Sequence, residues 1–380
     1  MNVPSGDDRA SVLTPAGRGA VAVIATTGPA ARAAIDLQFR AANGRPLDDQ
    51  RPDRIVFGHW GRGDHVEEVI LCRGDAQRLE IHCHGGSAAA ARILDELVQA
   101  GCRVVSWREW LALESASPLD AEAEVALAAA TTRRTAAILL DQRHGALRAA
   151  IDAVRAELTN DRLDLARRQL TALRHRAAVG LHLTTPWHVA IAGQPNVGKS
   201  SLLNAIVGYQ RAIVFDQPGT TRDILAADAA IDGWPVRLTD SAGIRQAADS
   251  LEAEGVARAQ HQLVEADLVV WVTDATRPGS HAVPGVSDFH PLIVVNKIDL
   301  APFRPEQGDV GVSALAGLGL DQLLVAIAER LVPNPPAAGE AVPFTARQTG
   351  LIDVAIEQVD RGDRPAALET LTQLSPAAPI

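Results

Sequence analysis

The sequence predicts an α/β protein in which a domain with a mostly parallel sheet is inserted in a helical domain and preceded by a small α+β domain. Three patterns in the 380 residues carry this reading. Up to about residue 115, short apolar runs alternate with Gly-rich turns. A stretch poor in Pro and Gly follows, rich in Ala, Leu and Arg with apolar residues three and four apart. From Trp187 onward, buried-strand runs alternate with helical ones, the pattern of βαβ units around a parallel sheet. The expected domains are 1–115, 116–182 as the first helical part, 183–334 as the insert, and 335–380 as a truncated helical remnant.

In the first domain, Ala20–Ile24, Arg54–Phe57, Glu67–Leu71 and Leu79–His82 read as strands. Pro29–Phe39 and Ser87–Ala100 read as helices. Between 119 and 180, Leu163, Leu165, Leu170 and Leu173 interleave with Arg167, Arg168, Arg174 and Arg176, an amphipathic helix. Those arginines suit either RNA contact or a solvated face balanced by Asp and Glu. In the insert, 187–193, 235–240, 267–274 and 291–296 read as strands. The Pro/Ala/Gly run at 332–343 reads as a linker, with one or two short helices after it.

Composition narrows the function. Hydrophobic content of 47% with 22% charged residues gives real cores and argues against bulk disorder. The net charge of −10 supplies no general field for nucleic acid, so RNA contact needs a local basic patch or a partner. The three cysteines form neither a disulfide framework nor a CxxC pair. The polar N-terminus is no signal peptide, and no apolar run reaches the roughly 20 residues of a membrane span. A soluble, cytoplasmic protein with no membrane partner is expected.

The strongest motif is Gly193-Gln194-Pro195-Asn196-Val197-Gly198-Lys199-Ser200, between an expected strand and the helix opened by Ser201. Such a GxxxxGKS loop wraps phosphates with its backbone N–H groups and a helix N-terminus. Lys199 there neutralises the β- and γ-phosphates and Ser200 ligates Mg²⁺. Four further elements follow in order. Pro218-Gly219-Thr220-Thr221-Arg222-Asp223 lies at the spacing of a first switch loop, preceded by the candidate GTP contacts Phe215, Asp216 and Gln217, with Thr221 the candidate to close on Mg²⁺ and the γ-phosphate. Asp240-Ser241-Ala242-Gly243 ends a strand, its Asp placed for the Mg²⁺ shell and its Gly N–H for the γ-phosphate. Asn296-Lys297-Ile298-Asp299 ends another, and Asp299 can accept the two hydrogen bonds from N1 and N2 that guanine offers and adenine does not. Val312-Ser313-Ala314 closes the base pocket. Five motifs in this order specify a Ras-like P-loop G domain that binds GTP and GDP and hydrolyses GTP.

The hydrolytic group is less plain. Ile244 stands where many GTPases carry a water-orienting Gln. Downstream, Asp249, Ser250 and Glu252 open a helix, and on chemistry alone Glu252 suits either a cap-supporting or a catalytic role.

The apolar residue after DSAG, the PGTTRD switch and Asn196 together resemble the MnmE (TrmE) family of tRNA-modification GTPases. Beyond the G domain, Thr14-Pro15-Ala16-Gly17-Arg18-Gly19 is similar to that family's TPPGRG segment, and Glu80-Ile81-His82-Cys83-His84-Gly85-Gly86 to its EIHCHGG segment. Pro118-Leu119-Asp120 followed by Ala123-Glu124 is similar to its LDLxQAEA helix start. The resemblance implies K⁺ at Asn196, Phe215, Gln217 and Thr220, and Mg²⁺ at Ser200 and Thr221. It gives Glu252 the role of orienting the attacking water, which makes Glu252, Lys199 and Thr221 the catalytic set. It further implies a homodimer, an MnmG-type flavoprotein partner and tRNA wobble uridine (U34) as the target. Among folate contacts only Glu80 matches. Ala25 stands where the family has an Arg, Ser117-Pro118 lies where it has a Lys, and the chain ends Ser375–Ile380 without the family's terminal Cys motif. These departures count against a folate site. They open a second expectation, a paralogue acting as a GTP-dependent regulatory or assembly switch without folate chemistry. His82 and His84 share a strand face, but two ligands are fewer than a metal site needs, and a strand-and-turn role suffices.

Overall fold

Each of two sheets has seven strands among the residues that the computed structural model describes, which are 8–376 apart from 16, 18, 52–53, 64–65, 75–77, 116, 210–212, 215–225, 241–264 and 278–289. The chain forms two compact units, Met1–Ala116 and Ser117–Ile380.

In the first unit the strands are β1 (Arg9–Val12), β2 (Val21–Thr27), β3 (Phe39–Ala41), β4 (Ile55–Trp60), β5 (Glu67–Arg73), β6 (Arg78–His84) and β7 (Arg103–Val104), in the order β3-β4-β5-β6-β2-β1-β7. Strict alternation decides which face is covered. In β6, Leu79, Ile81 and Cys83 are buried while Glu80 and His82 point the other way. The buried face packs on α1 (Pro29–Gln38) and α2 (Ser87–Gln99), with Ile24, Ile35, Trp60, Leu71 and Leu97 in one core. A third helix, α3 (Trp107–Glu114), is capped by the Ser106 side chain, which accepts from Glu109 N–H. It carries Trp110 onto Ala25 and Val105.

The second unit begins with α4 (Pro118–Ala129), α5 (Arg133–Arg143), α6 (Ala146–Thr159) and α7 (Leu163–Gly180). Ser117 and Thr132 cap α4 and α5 through their hydroxyls. The second sheet comprises β8 (Trp187–Gly193), β9 (Ile213–Val214), β10 (Ala226–Ile231), β11 (Trp234–Asp240), β12 (Leu268–Asp274), β13 (Leu292–Asn296) and β14 (Val310–Gly311), ordered β14-β13-β12-β8-β11-β10-β9. Only β10 runs against its neighbours; the other described pairings are parallel. Helices α8 (Lys199–Gly208) and α9 (Leu320–Leu331) belong to this sheet domain. The chain then returns to the helical body as α10 (Ala346–Asp360) and α11 (Arg364–Leu374). Leu170, Leu173 and Ala177 of α7 share one core with Ile352, Ala355 and Val359 of α10. The sheet domain is thus an insertion between two helices that pack on each other.

Two features left open or misread from sequence resolve here. Three of the four arginines of α7 turn to acids and carbonyls of the returning chain, while Arg168 is exposed: Arg167 donates to Asp360 at 2.5 Å, Arg174 to Asp353 at 2.6 Å and Arg176 to the Ala341 carbonyl at 2.7 Å. They form a solvated, acid-balanced helix face. The run expected to be a linker is mostly exposed over 333–340, but its last residues, with Phe344, pack as a strap. Ala341, Val342 and Phe344 are buried. Buried Gln142 of α5 grips the strap from both sides, donating to the Glu340 carbonyl at 3.0 Å and accepting from Val342 N–H at 3.0 Å. Pro and Ala composition reads as a loop because an extended segment lying in a helical groove has no periodicity of its own. At the other side of the insert, Thr132 Oγ1 donates to the Gly233 carbonyl at 2.7 Å and Arg134 to the Asp232 carbonyl at 2.6 Å, which pins the β10–β11 turn to α5. Among the described residues, no helix is long and apolar enough to cross a membrane.

Gly180, the last residue of α7, has no room for a side chain, because a Cβ there would overlap the Pro343 carbonyl oxygen of the strap. Gly180→Ala should therefore lower unfolding stability by about 1–3 kcal/mol, measured by urea denaturation. Gly208→Ala, where a Cβ meets nothing within 4 Å, should not.

Candidate functional site

Parallel strands end on the same side of a sheet, so β8, β11, β12 and β13 deliver Gly193, Asp240, Asp274 and Asn296 to one edge. Asp240 lies opposite Ile191, Val272 opposite Gly193, and Asp274 opposite Asn296. The crevice outside these carboxyl ends is where open α/β sheets hold ligands.

The loop after β8 is shaped by its glycines. Gly193 has φ +144° and Gly198 φ +96°. An added Cβ would overlap the Val272 carbonyl in the first case and the Asn296 side-chain amide in the second. Both space and backbone therefore exclude any other residue. Asn196 at φ +66° completes the wrap. Lys199 opens α8 and is nearly buried, with Nζ donating back across the loop to the Gln194 carbonyl at 2.8 Å. The result is a ring of backbone closed by an ammonium and a helix N-terminus, an anion cradle. Val197 is buried beneath it, and Ser200 and Ser201 are exposed in the first turn.

Ser200 Oγ donates to Asp240 Oδ2 at 2.5 Å. A hydroxyl beside a carboxylate supplies hard oxygen ligands, the donor set that fits Mg²⁺.

On the base side, Asn296 is buried and uses its whole amide. Its Nδ2 donates to the Val197 carbonyl at 2.9 Å, and its Oδ1 accepts from Lys297 N–H at 2.8 Å and Ala314 N–H at 3.0 Å. Ser313, fully buried, accepts from Ala316 N–H at 3.1 Å. Asp299 is exposed, and no described residue pairs with its carboxylate. The phosphate loop, Asn296-Lys297-Ile298-Asp299 and Ser313-Ala314 thus converge as the sequence order requires.

Sequence reasoning missed Asp274. It ends β12, whose seven residues are all buried, and its carboxylate is almost fully enclosed. Lys297 Nζ donates to Asp274 Oδ2 at 2.6 Å and to the Asn196 carbonyl at 3.0 Å. Thr276 supplies its N–H and hydroxyl to Asp274 Oδ1 at 2.9 and 2.7 Å. Burial pushes the Asp274 carboxyl up, but the Lys297 ammonium and the Thr276 donors outweigh it and hold the group below its ordinary value. A depressed carboxyl adds stability at neutral pH and loses it only in acid, below the ordinary carboxylate range. The available signal was an acid closing an otherwise apolar strand.

Phe215, Asp216, Gln217, Pro218, Gly219, Thr220, Thr221, Ser241, Ala242, Gly243 and Glu252 lie outside the described residues. In the first unit, Glu80 is engaged on both oxygens, by Arg78 at 2.7 Å and His82 at 3.3 Å. Ala25, opposite it in the sheet, is buried under Trp110. His84 turns instead to Glu67 at 2.6 Å.

A family model described as a 50S ribosome-binding GTPase matches residues 188–297, from β8 to Lys297. Similarity also extends over nearly the whole chain. A protein of Nitratidesulfovibrio vulgaris (strain DP4) named tRNA modification GTPase MnmE is 33% identical, over 93% of this chain and 88% of that one. The chain belongs to the MnmE family. MnmE proteins of Synechococcus sp. (strain RCC307) and Geobacillus kaustophilus (strain HTA426) are 33% and 32% identical, over 96% and 88% of this chain and 90% and 84% of theirs. As an MnmE-family protein with this GTPase domain, it binds guanine nucleotides and hydrolyses GTP.

Because Asn296 holds three backbone groups at once, Asn296→Ala should weaken GDP binding at least tenfold, about 1–3 kcal/mol for the unsatisfied groups left behind. Titration with a fluorescent GDP analogue checks this.

Proposed function

We propose that GTP hydrolysis by this MnmE-family chain serves the modification of tRNA wobble uridine (U34), in the cytoplasm, as a homodimer working with an MnmG-type flavoprotein. The observation that carries this reading is the reach of the similarity, which runs through both units and not the GTPase domain alone. The competing expectation, a regulatory or assembly switch without folate chemistry, is not favoured for the same reason. No step of the reading is routed through a folate.

The chain's own residues do the following. The loop from Gly193 to Lys199 binds the phosphates, and Asp299 selects guanine by accepting from its N1 and N2 hydrogens. Ser200 and Thr221 would hold Mg²⁺, with Asp240 supporting its shell, and Asn196, Phe215, Gln217 and Thr220 would hold K⁺. Bound there, the cations would supply positive charge against the phosphate oxygens. Asn196 suits its part because its side chain is exposed and pairs with no described residue. Glu252 orients the attacking water in place of the Gln that Ile244 displaces. Lys199 keeps the β- and γ-phosphates neutralised while the terminal bond breaks. Catalysis then rests on positioning and charge, with no covalent step on the protein.

GTP turnover should be faster in KCl than in NaCl at equal ionic strength, with the difference lost in Asn196→Ala. Glu252→Ala should lower kcat by about 100-fold or more while leaving GDP affinity unchanged. Equal rates in the two salts would remove the K⁺ assignment. Deleting the encoding gene should abolish the wobble-uridine modification seen by mass spectrometry of bulk tRNA, and unmodified levels identical to wild type would remove the tRNA assignment.

A further inference from the structure

We propose that Asp274 is a positioning residue for guanine-nucleotide binding, acting through Lys297 to tie the base-reading end of β13 to the phosphate loop. The inference rests on the GTP reading above and assigns a role to a residue outside the five motifs.

The geometry runs in one direction. Asp274 sits at the carboxyl end of β12, in register with Asn296 on β13. One oxygen is fixed by the two Thr276 donors and the other receives Lys297 Nζ. The same ammonium reaches the Asn196 carbonyl in the phosphate loop. Arg277 Nε, 3.9 Å from the same carboxylate oxygen, is on an exposed side chain. Lys297 itself has φ +68°, a conformation that a non-glycine residue holds only when its surroundings impose it.

A lysine side chain left to itself samples many rotamers, and ordering it on ligand binding weakens affinity. Asp274 orders it beforehand. An enclosed ion pair is poor evidence for stability alone, because desolvation offsets the attraction. What this pair supplies is register. It sets Lys297, two residues before Asp299, against a loop that begins on a different strand. Asp274 is enclosed by Lys297 and Thr276, so its loss is expected to act on binding and leave the chemical step intact.

The test uses the full-length chain with Asp274→Asn, Lys297→Met and the double variant. Asp274→Asn should raise KM for GTP and the GDP dissociation rate about tenfold, with kcat within about twofold. Lys297→Met should do the same, and the double variant should be no worse than the more affected single one. Thr276→Ala, a milder change, should shift KM in the same direction by a smaller factor. Unchanged KM in Asp274→Asn, effects that multiply in the double variant, or a kcat that falls by as large a factor as KM rises would each overturn the proposal. Failure of the wild-type chain to prefer GTP over ATP would instead overturn the GTP reading, which separates the two.

Discussion

The nucleotide site depends on the side-chain amide of Asn296. It donates to the phosphate loop at Val197 and accepts from both Lys297 and Ala314, so three segments distant in sequence share one small planar group. The Asn296 side chain is buried, and the bond to Val197 is shielded from water and worth more than it would be on the surface. The absence of a Cβ at Gly198 is what lets the amide come so close. The glycine and the asparagine therefore constrain each other, and the curvature of the loop follows from where β13 ends.

Around that point the parallel sheet does the aiming. Each of β8, β11, β12 and β13 is mostly buried and ends in a residue that the site uses. Strand cores set direction, and the terminal residues inherit it. The helical body fixes the domain from two sides, through the capping hydroxyl of Thr132 on the β10–β11 turn and through the strap under Gln142.

How much of this was legible in the sequence follows from how far apart the interacting residues lie. Gly193 to Ser200 is contiguous, so its geometry is written in a single stretch, and the strand before it and helix after it follow from periodicity. Asn296 to Asp299 and Ser313-Ala314 were legible by their order. Asp274 was not, because its meaning comes from an ammonium 23 positions away in the chain, which no local pattern records. The strap was unreadable for a related reason: Val342 and Phe344 are buried by helices on both sides of the insertion, not by neighbours in a periodic element. Glu80 was recognised by its segment, but its engagement by Arg78 and His82 depends on rotamers that a motif does not specify. Arg167 and Arg174 of α7 left two readings open until the acids of α10 stood opposite them.

The insertion of the sheet domain between α7 and α10 bears on how the chain folds. Those helices can pair only after everything between them has closed into a loop, at an entropic cost that rises slowly with the logarithm of its length. A folded insert holds its two ends in place and removes much of that cost in advance. Assembly is therefore ordered, with the domain in the middle preparing the helices that enclose it. A ligand that favours the folded insert shifts that equilibrium too. A guanine nucleotide thus steadies helices that it never touches.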